Sequence, residues 1–237
     1  MRALTALFIA LFLTSASTEA QVPVNMELVL AVDSSLSVDE QEFQLQMKGM
    51  ADTFRDPEVI SLIEAQSGGV AVTLFQWSAQ TNPRFAIPWQ HLRTEASVRA
   101  FADMIERLPR DPVLGYTALG RAMRHAIELI ASNRFAGERR KIDMSGDGRN
   151  NADIPPKTAR DMARARDITI NGLPILNETE KLDQYFREHV ISGPGAFIEP
   201  ARDYTDYARA FRRKLIRELT IYSSGKSHPI RRAEALP

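Results

Sequence analysis

The sequence has 237 residues, of which 44% are hydrophobic, and this length and composition suit one substantial core and a single large domain. Thirty basic residues balance thirty acidic ones, so the net charge does not indicate a nucleic-acid partner or an anionic membrane surface. The absence of cysteine excludes disulfide bonds, a thiol nucleophile and a thiolate metal site.

The start of the chain has the pattern of a cleaved secretory signal. An arginine precedes an apolar stretch from Ala3 to Leu13, and small polar residues follow and end at Ala20. The apolar stretch is short for a membrane span, which makes a retained anchor the lesser alternative. We therefore expect a soluble exported protein, periplasmic or extracellular in a bacterium, with no stable membrane insertion after cleavage. The expected boundaries are a signal peptide at 1–20, one domain at 21–222 and a disordered tail at 223–237.

Apolar runs and helical periodicity alternate along the rest of the chain. Strands are predicted at 26–32, 68–77, 84–90, 140–145, 168–176 and 195–200. Helices are predicted around 43–54 and at 95–108, 117–132, 157–166, 181–190 and 203–220. Pro88 cannot donate to a strand ladder, so the third strand is predicted to lie at an edge. The alternation predicts an α/β fold: a Rossmann-like open, mostly parallel sheet with one antiparallel edge strand and helices on both faces.

Five oxygen-bearing side chains are predicted to meet at the carboxyl ends of these strands. Asp33, Ser35 and Ser37 follow the first strand, Thr117 stands at the start of a helix, and Asp147 follows the strand at 140–145. Open α/β sheets bind ligands at this edge, and hard oxygen donors suit a divalent cation. Each residue also has a plainer interpretation, because serine and threonine cap helices and Asp-Gly forms turns.

The same residues resemble the metal-ion-dependent adhesion site of von Willebrand factor A (VWA) domains. The resemblance lies in DSSLS at 33–37, the threonine of GYTALG at 115–120 and the Asp-Gly of MSGDG at 144–148. The order of strands and helices fits that fold from about residue 26 to 220. The phrases IDMSGDGRNN, ITINGLPIL and GPGAFIEP further resemble a group of exported bacterial proteins in that superfamily.

The resemblance implies a binding module rather than an enzyme. Ser35, Ser37 and Thr117 would coordinate the cation through their hydroxyls, with Asp33 and Asp147 acting directly or through water. Magnesium is the first choice of ion, with calcium or manganese next. An Asp or Glu of a protein partner would complete the coordination shell.

Two positions depart from the expected pattern. Gly146 stands where the family usually has threonine, which leaves open what supports Asp147. Asp143 lies within an apparent strand, and we interpret it as a structural polar residue, with a role behind the cation site as the alternative.

Two other functions compete with the binding module. A hydrolase built on Ser35 or Ser145 would need a histidine. The sequence has no Gly-x-Ser-x-Gly motif, and its four histidines stand at positions that an ordinary structural role explains. The second alternative is a structural domain that keeps the VWA-like fold, with an ion site that is vestigial or serves only stability. The fold alone does not distinguish it from a binding module, because a fold does not determine a function.

Overall fold

A computed structural model describes residues 20–79, 81–111 and 115–220 of the chain. The predicted signal segment, apart from its last residue, and the predicted tail lie outside these ranges. Within them, no helix is both long enough and apolar enough to cross a membrane.

One five-stranded sheet forms the centre of the described structure, with the strand order β3-β2-β1-β4-β5. β1 pairs in parallel with β2 and with β4, and β4 pairs in parallel with β5. β3 contains Pro88 and pairs antiparallel with β2 at the edge, so the predicted fold class and the predicted edge strand are confirmed. The strands are β1 Val22–Asp33, β2 Val70–Trp77, β3 Thr81–Leu92, β4 Phe135–Gly146 and β5 Ile168–Pro174.

Helices cover both faces of the sheet because residues along each central strand alternate between the two faces. Along β1, Leu28 and Leu30 pack with α1, α3 and α7, whereas Val29 and Ala31 pack with α4, α5 and α6. A single turn of π-helix at Phe186–Val190 follows α6, and a short 3-10 helix at Tyr204–Asp206 leads into α7. The α-helices are α1 Glu40–Arg55, α2 Pro57–Glu64, α3 Glu95–Arg107, α4 Leu119–Ala131, α5 Pro156–Arg164, α6 Leu182–Tyr185 and α7 Tyr207–Thr220.

The predicted strand at 195–200 is wrong. This segment forms no continuous ladder with β5: an isolated bridge joins Gly172 to Ile198, the N–H of Phe197 donates to the Asn171 side chain, and a second bridge joins Ile175 to Ala201 just beyond the two segments. The chain enters it through glycines at 193 and 195 with φ of 97° and 68°. Such left-handed residues interrupt the extended backbone that a continuous ladder needs.

α2 was not predicted from the sequence, although its start carries a recognisable signal. Asp56 caps the helix by accepting hydrogen bonds from the backbone N–H groups of Glu58 and Val59, and Pro57 occupies the first helical position. The helix has only eight residues, so its apolar period is too short to stand out beside the end of α1.

A buried ion network joins α7 to the sheet. The ammonium of Lys214 is fully buried and pairs with the carboxylates of Asp143, on β4, and Glu218, at 2.9 Å. The side-chain amide of Asn171, on β5, also donates to Glu218. Burial and the neighbouring Glu218 carboxylate raise the pKa of Asp143 to about 8, against the opposing charge of Lys214. Asp143 therefore helps to hold α7 against the sheet.

Candidate metal centre

The loop that follows β1 is anchored to the sheet and to α1. Asp33 ends β1 with its side chain fully buried, and its Oδ1 accepts a hydrogen bond from the backbone N–H of Ser35 at 2.8 Å. The backbone N–H of Ser34 donates to the carbonyl of Trp77 at 2.9 Å, and the amide of Gln46 donates to the carbonyl of Asp33 at 3.3 Å. The loop backbone thus presents successive polar side chains at the carboxyl edge of the sheet.

A chain of hydroxyl contacts links the loop to Asp147, which follows β4. The hydroxyls of Ser35 and Ser37 lie 3.3 Å apart, and Ser37 Oγ donates to Asp147 Oδ1 at 2.8 Å. Ser37 does not cap α1, because Asp39 is the cap residue and forms a reciprocal capping box with Glu42. The interpretation of Ser37 as a helix cap is therefore wrong, and its hydroxyl contacts the carboxylate of Asp147.

Thr117 lies beside Gly148, the glycine that follows Asp147. A Cβ atom built on Gly148 would stand 3.2 Å from Thr117 Oγ1, so the threonine packs directly against the Asp-Gly turn. Its backbone N–H donates to Asn151 Oδ1 at 2.9 Å, and the Asn151 N–H donates back to the Thr117 carbonyl at 3.0 Å. α4 begins after Ala118, which has no side-chain cap, so the Thr117 hydroxyl does not serve as a helix cap.

Gly146 and Tyr204 together explain the departure from the usual motif. A Cβ on Gly146 would lie 2.8 Å from Asp33 Oδ2 and 3.1 Å from the Trp77 ring, so a threonine there would require these side chains to shift. The hydroxyl of Tyr204 instead donates to Asp147 Oδ2 at 3.0 Å. Burial raises the pKa of Tyr204 well above its usual value, so this hydroxyl keeps its proton and stays a donor.

Tyr204 is a site residue that the sequence did not reveal. Its spacing placed it on the apolar face of the last helix, and it is indeed buried. The only signal in the sequence was chemical, because a buried tyrosine hydroxyl needs a hydrogen-bond partner. That need does not by itself say where the partner lies.

Two buried carboxylates dominate the electrostatics of the site, and the guanidinium of Arg110 donates to the backbone carbonyls of Ser35 and Val38 in the same loop. Burial and the nearby charge of Asp147 raise the pKa of Asp33 to about 8. Among the described residues, Asp33 Oδ2 has no hydrogen-bond partner. A buried, unpaired carboxylate oxygen is costly, and a hard cation at this edge would remove that cost. The residues present therefore fit a divalent cation.

The donor set consists mainly of hydroxyls. The described ranges contain no group of three or more His, Cys, Asp or Glu side chains that could hold a metal ion. The structure instead brings two carboxylates together with three hydroxyls, all of which are hard oxygen donors. The five predicted residues thus gather at one edge: Asp33, Ser35, Ser37, Thr117 and Asp147.

Comparison with protein families gives one match that spans most of the chain. Residues 23–223 match the family described as "Protein of unknown function (DUF1194)". The chain belongs to this family. A search of curated proteins returns no match to the DUF1194 chain.

Solved structures with the same fold come from distant proteins. Proximal thread matrix protein 1 of the mussel byssus superposes with a TM-score of 0.60 at 15% identity, over 84% of this chain and 49% of that one. The pilus adhesin SpaC from Lactobacillus rhamnosus GG gives 0.60 at 13% identity, over 84% and 31%. The vWF domain of the type V pili tip protein Mfa5 from Porphyromonas gingivalis gives 0.55 at 10% identity, over 83% and 95%.

These superpositions establish the fold of the DUF1194 chain as that of a VWA domain. The chain spans about half the length of the mussel protein, 49%, and less than a third of SpaC, 31%. A further structure of the mussel protein is described as having a zinc-occupied MIDAS motif, with a TM-score of 0.57 at 14% identity over 85% of this chain.

Proposed function

We propose that this chain is an exported protein-binding module that engages a partner carboxylate through a divalent cation. The observation that carries the proposal is the pair of buried carboxylates, Asp33 and Asp147, which share one edge of the sheet and, among the described residues, form no ion pair with a lysine or arginine side chain. The unpartnered Oδ2 of Asp33, among the described residues, points to the same missing positive charge.

Five residues would hold the ion: Asp33, Ser35, Ser37, Thr117 and Asp147. With three neutral hydroxyls among the donors, a bound ion supplies an open position that favours a carboxylate oxygen from a partner. Magnesium is our first choice because its donors are hard oxygens, with calcium or manganese next. The zinc-occupied motif described for the mussel protein supports a divalent ion on this fold without identifying the ion here.

The contacts of the serines and histidines support a role other than catalysis. The Ser145 hydroxyl lies 3.4 Å from the carbonyl of Ala31, and the Ser35 hydroxyl faces Ser37. His125 packs edge-on against the ring of Phe75, and a ring nitrogen of His91 lies 2.7 Å from a backbone carbonyl. A serine nucleophile needs a base within hydrogen-bond reach, and these contacts support structural roles for both histidines.

Export is part of the proposal. The pattern of residues 1–20 is that of a signal peptide, which would leave one VWA domain at 21–222 and a tail at 223–237. The similarity of the fold to a pilus adhesin and a byssus matrix protein supports a place outside the cytoplasm, in the periplasm or beyond the cell.

Isothermal titration with magnesium, calcium and manganese tests the ion site. We expect one binding site that Asp33→Ala abolishes and that Asp52→Ala, a matched change at an exposed aspartate on α1, leaves intact. No binding of any of the three ions to the purified chain would contradict the proposal. A cation that stabilises the chain but does not affect partner binding would favour the structural alternative.

A further inference from the structure

The most exposed large apolar side chains of the described residues lie beside the candidate metal centre. Leu36 is 68% exposed and Tyr116 is 70% exposed, whereas Met104, on α3, is 41% exposed. Isolated exposed apolar residues are ordinary on a protein surface. These two differ because each is flanked in sequence by a candidate cation ligand.

Leu36 and Tyr116 are held next to each other by the backbone. Leu36 separates Ser35 from Ser37, and its N–H donates to the carbonyl of Gly115 at 3.1 Å. Tyr116 directly follows that glycine and precedes Thr117. The loops that carry the candidate ligands therefore also carry the exposed apolar side chains.

Leu176 adds a third apolar side chain at this end of the sheet. It follows β5, is 37% exposed, and its N–H donates to the carbonyl of Ala201 at 2.9 Å. The preceding Ile175 donates to the carbonyl of Gly146, next to Asp147, at 3.0 Å. We call Leu36, Tyr116 and Leu176 the apolar rim.

One side of the rim is acidic. The side-chain amide of Asn177 donates to Glu42 Oε1 at 2.9 Å, which brings the loop after β5 against the start of α1. Burial and the charges of Asp39, Asp147 and Glu178 raise the pKa of Glu42. We call Asp39, Glu42 and Glu178 the acidic flank.

On the basis of the proposed function, we infer that the partner presents an acidic residue flanked by apolar residues, with a basic residue placed toward the acidic flank. An exposed contact between a cation and a carboxylate is weakened by water and salt. Apolar side chains around such a contact exclude water and strengthen it, and tyrosine is enriched among the residues that dominate interfaces. The acidic flank selects the basic residue by charge complementarity.

Short fluorescent peptides test this inference against the purified full-length chain. One peptide has a central glutamate between leucines, a second has the glutamate between serines, and each is made with a terminal lysine or a terminal glutamine. Fluorescence anisotropy gives the affinity in magnesium and in chelator. We expect the leucine-flanked peptide to bind about tenfold more tightly in magnesium, with a smaller gain from the lysine.

Variants assign the preference to the rim. Leu36→Ser and Tyr116→Ser should each lower the preference for leucine to less than about threefold while leaving the cation affinity unchanged. Met104→Ser, the matched exposed apolar change on α3, should leave both unchanged. Glu178→Gln should remove only the gain from the lysine.

The possible failures are distinguishable. If neither the cation nor any peptide binds, the proposed function itself fails. If both peptides bind equally in magnesium, or none binds while the cation does, the rim inference is overturned. A third failure is dimerisation of the chain in magnesium that the rim variants abolish while the preference for the leucine-flanked peptide stays unchanged. The apolar rim would then bind a second copy of the chain, and the inference would be wrong.

Discussion

Two pairs of buried carboxylates lie in different parts of the fold, one between β4 and α7 and the other at the carboxyl edge of the sheet. The groups that contact the two pairs differ. Asp143 and Glu218 share the buried ammonium of Lys214, which α7 carries into the interior. Asp33 and Asp147 lie at the carboxyl edge, where their contacts are to hydroxyl and backbone N–H groups. The fold therefore supplies a lysine to one pair, whereas in the proposed function the other pair takes its cation from solution.

In the proposed function, this difference separates a structural site from a binding site. A buried pair that carries its own lysine gains little from solutes, and removing the lysine exposes the full cost of the buried charges. Without a lysine, the other pair bears part of that cost when no ion is bound, although hydroxyl and backbone N–H groups donate to it. It can also recover that cost when an ion binds. Four experiments sharpen or break the comparison.

The largest effect is expected for Lys214→Met, which leaves Asp143 and Glu218 buried without a cation. The free energy of unfolding should fall by about 3–5 kcal/mol, as when one partner of a buried ion pair is removed. Urea unfolding measures the change. A triple variant that adds Asp143→Asn and Glu218→Gln should regain most of the loss, because no charge remains buried. A triple variant as unstable as the single one would show that packing, and not charge, holds this region.

The second effect is cation-dependent stability at the other pair. At a magnesium concentration 100 times the Kd, the free energy of unfolding should exceed its value in chelator by about 2.7 kcal/mol. Asp33→Asn should remove this increment. In chelator the same variant should be no less stable than the parent, because it relieves the repulsion between Asp33 and Asp147. Equal unfolding curves of the parent chain in magnesium and in chelator would break the comparison.

The third effect concerns the tyrosine that supports Asp147. Tyr204→Phe deletes a hydrogen bond to a buried carboxylate and should cost about 1.5 kcal/mol of stability. It should also weaken cation binding by about tenfold, as expected when a group that orients a ligand is lost. Tyr207→Phe is the control, because its hydroxyl bonds to Ser145 instead. If both variants bind the cation like the parent, Tyr204 has only a structural role.

The smallest changes in stability and cation affinity are expected for substitutions of two serines in one loop. The Ser34 hydroxyl is buried and donates to the carbonyl of Trp77 at 3.2 Å, whereas Ser37 is exposed and contacts Asp147. Ser34→Ala should cost about 0.5–1 kcal/mol of stability and leave cation affinity unchanged. Ser37→Ala should do the reverse, with a stability change within about 0.5 kcal/mol and a severalfold loss of affinity. The same result for both variants would deny Ser37 a special position.

Much of the architecture follows from local sequence patterns. Apolar runs and helical spacing predict the alternating strands and helices. The parallel direction of the strands is then enough to bring Asp33 and Asp147 to the same edge of the sheet. The convergence of the five oxygen-bearing side chains depends only on that topology. Their role as cation ligands remains a prediction.

Two features that the sequence did not predict, the partners of Asp143 and Tyr204, depend on long-range packing. Asp143 pairs with a lysine 71 positions later in the chain, and Tyr204 reaches Asp147 across 57 positions. The segment at 195–200 has the composition of a strand, yet its glycine conformations limit it to isolated bridges. Local patterns describe which face of an element is buried, but not which polar group it meets there.

The side chains of Asp33 and Trp77 leave little room for a Cβ atom at Gly146, and this has a practical consequence for searching genomes. A search pattern that demands threonine before the Asp-Gly pair would pass over any chain built like this one. A better pattern combines Asp-x-Ser-x-Ser, a later threonine and Gly-Asp-Gly with a tyrosine at the entrance to the final helix. In this chain a tyrosine hydroxyl from another element contacts the aspartate, so the missing threonine is no reason to discard the chain as degenerate.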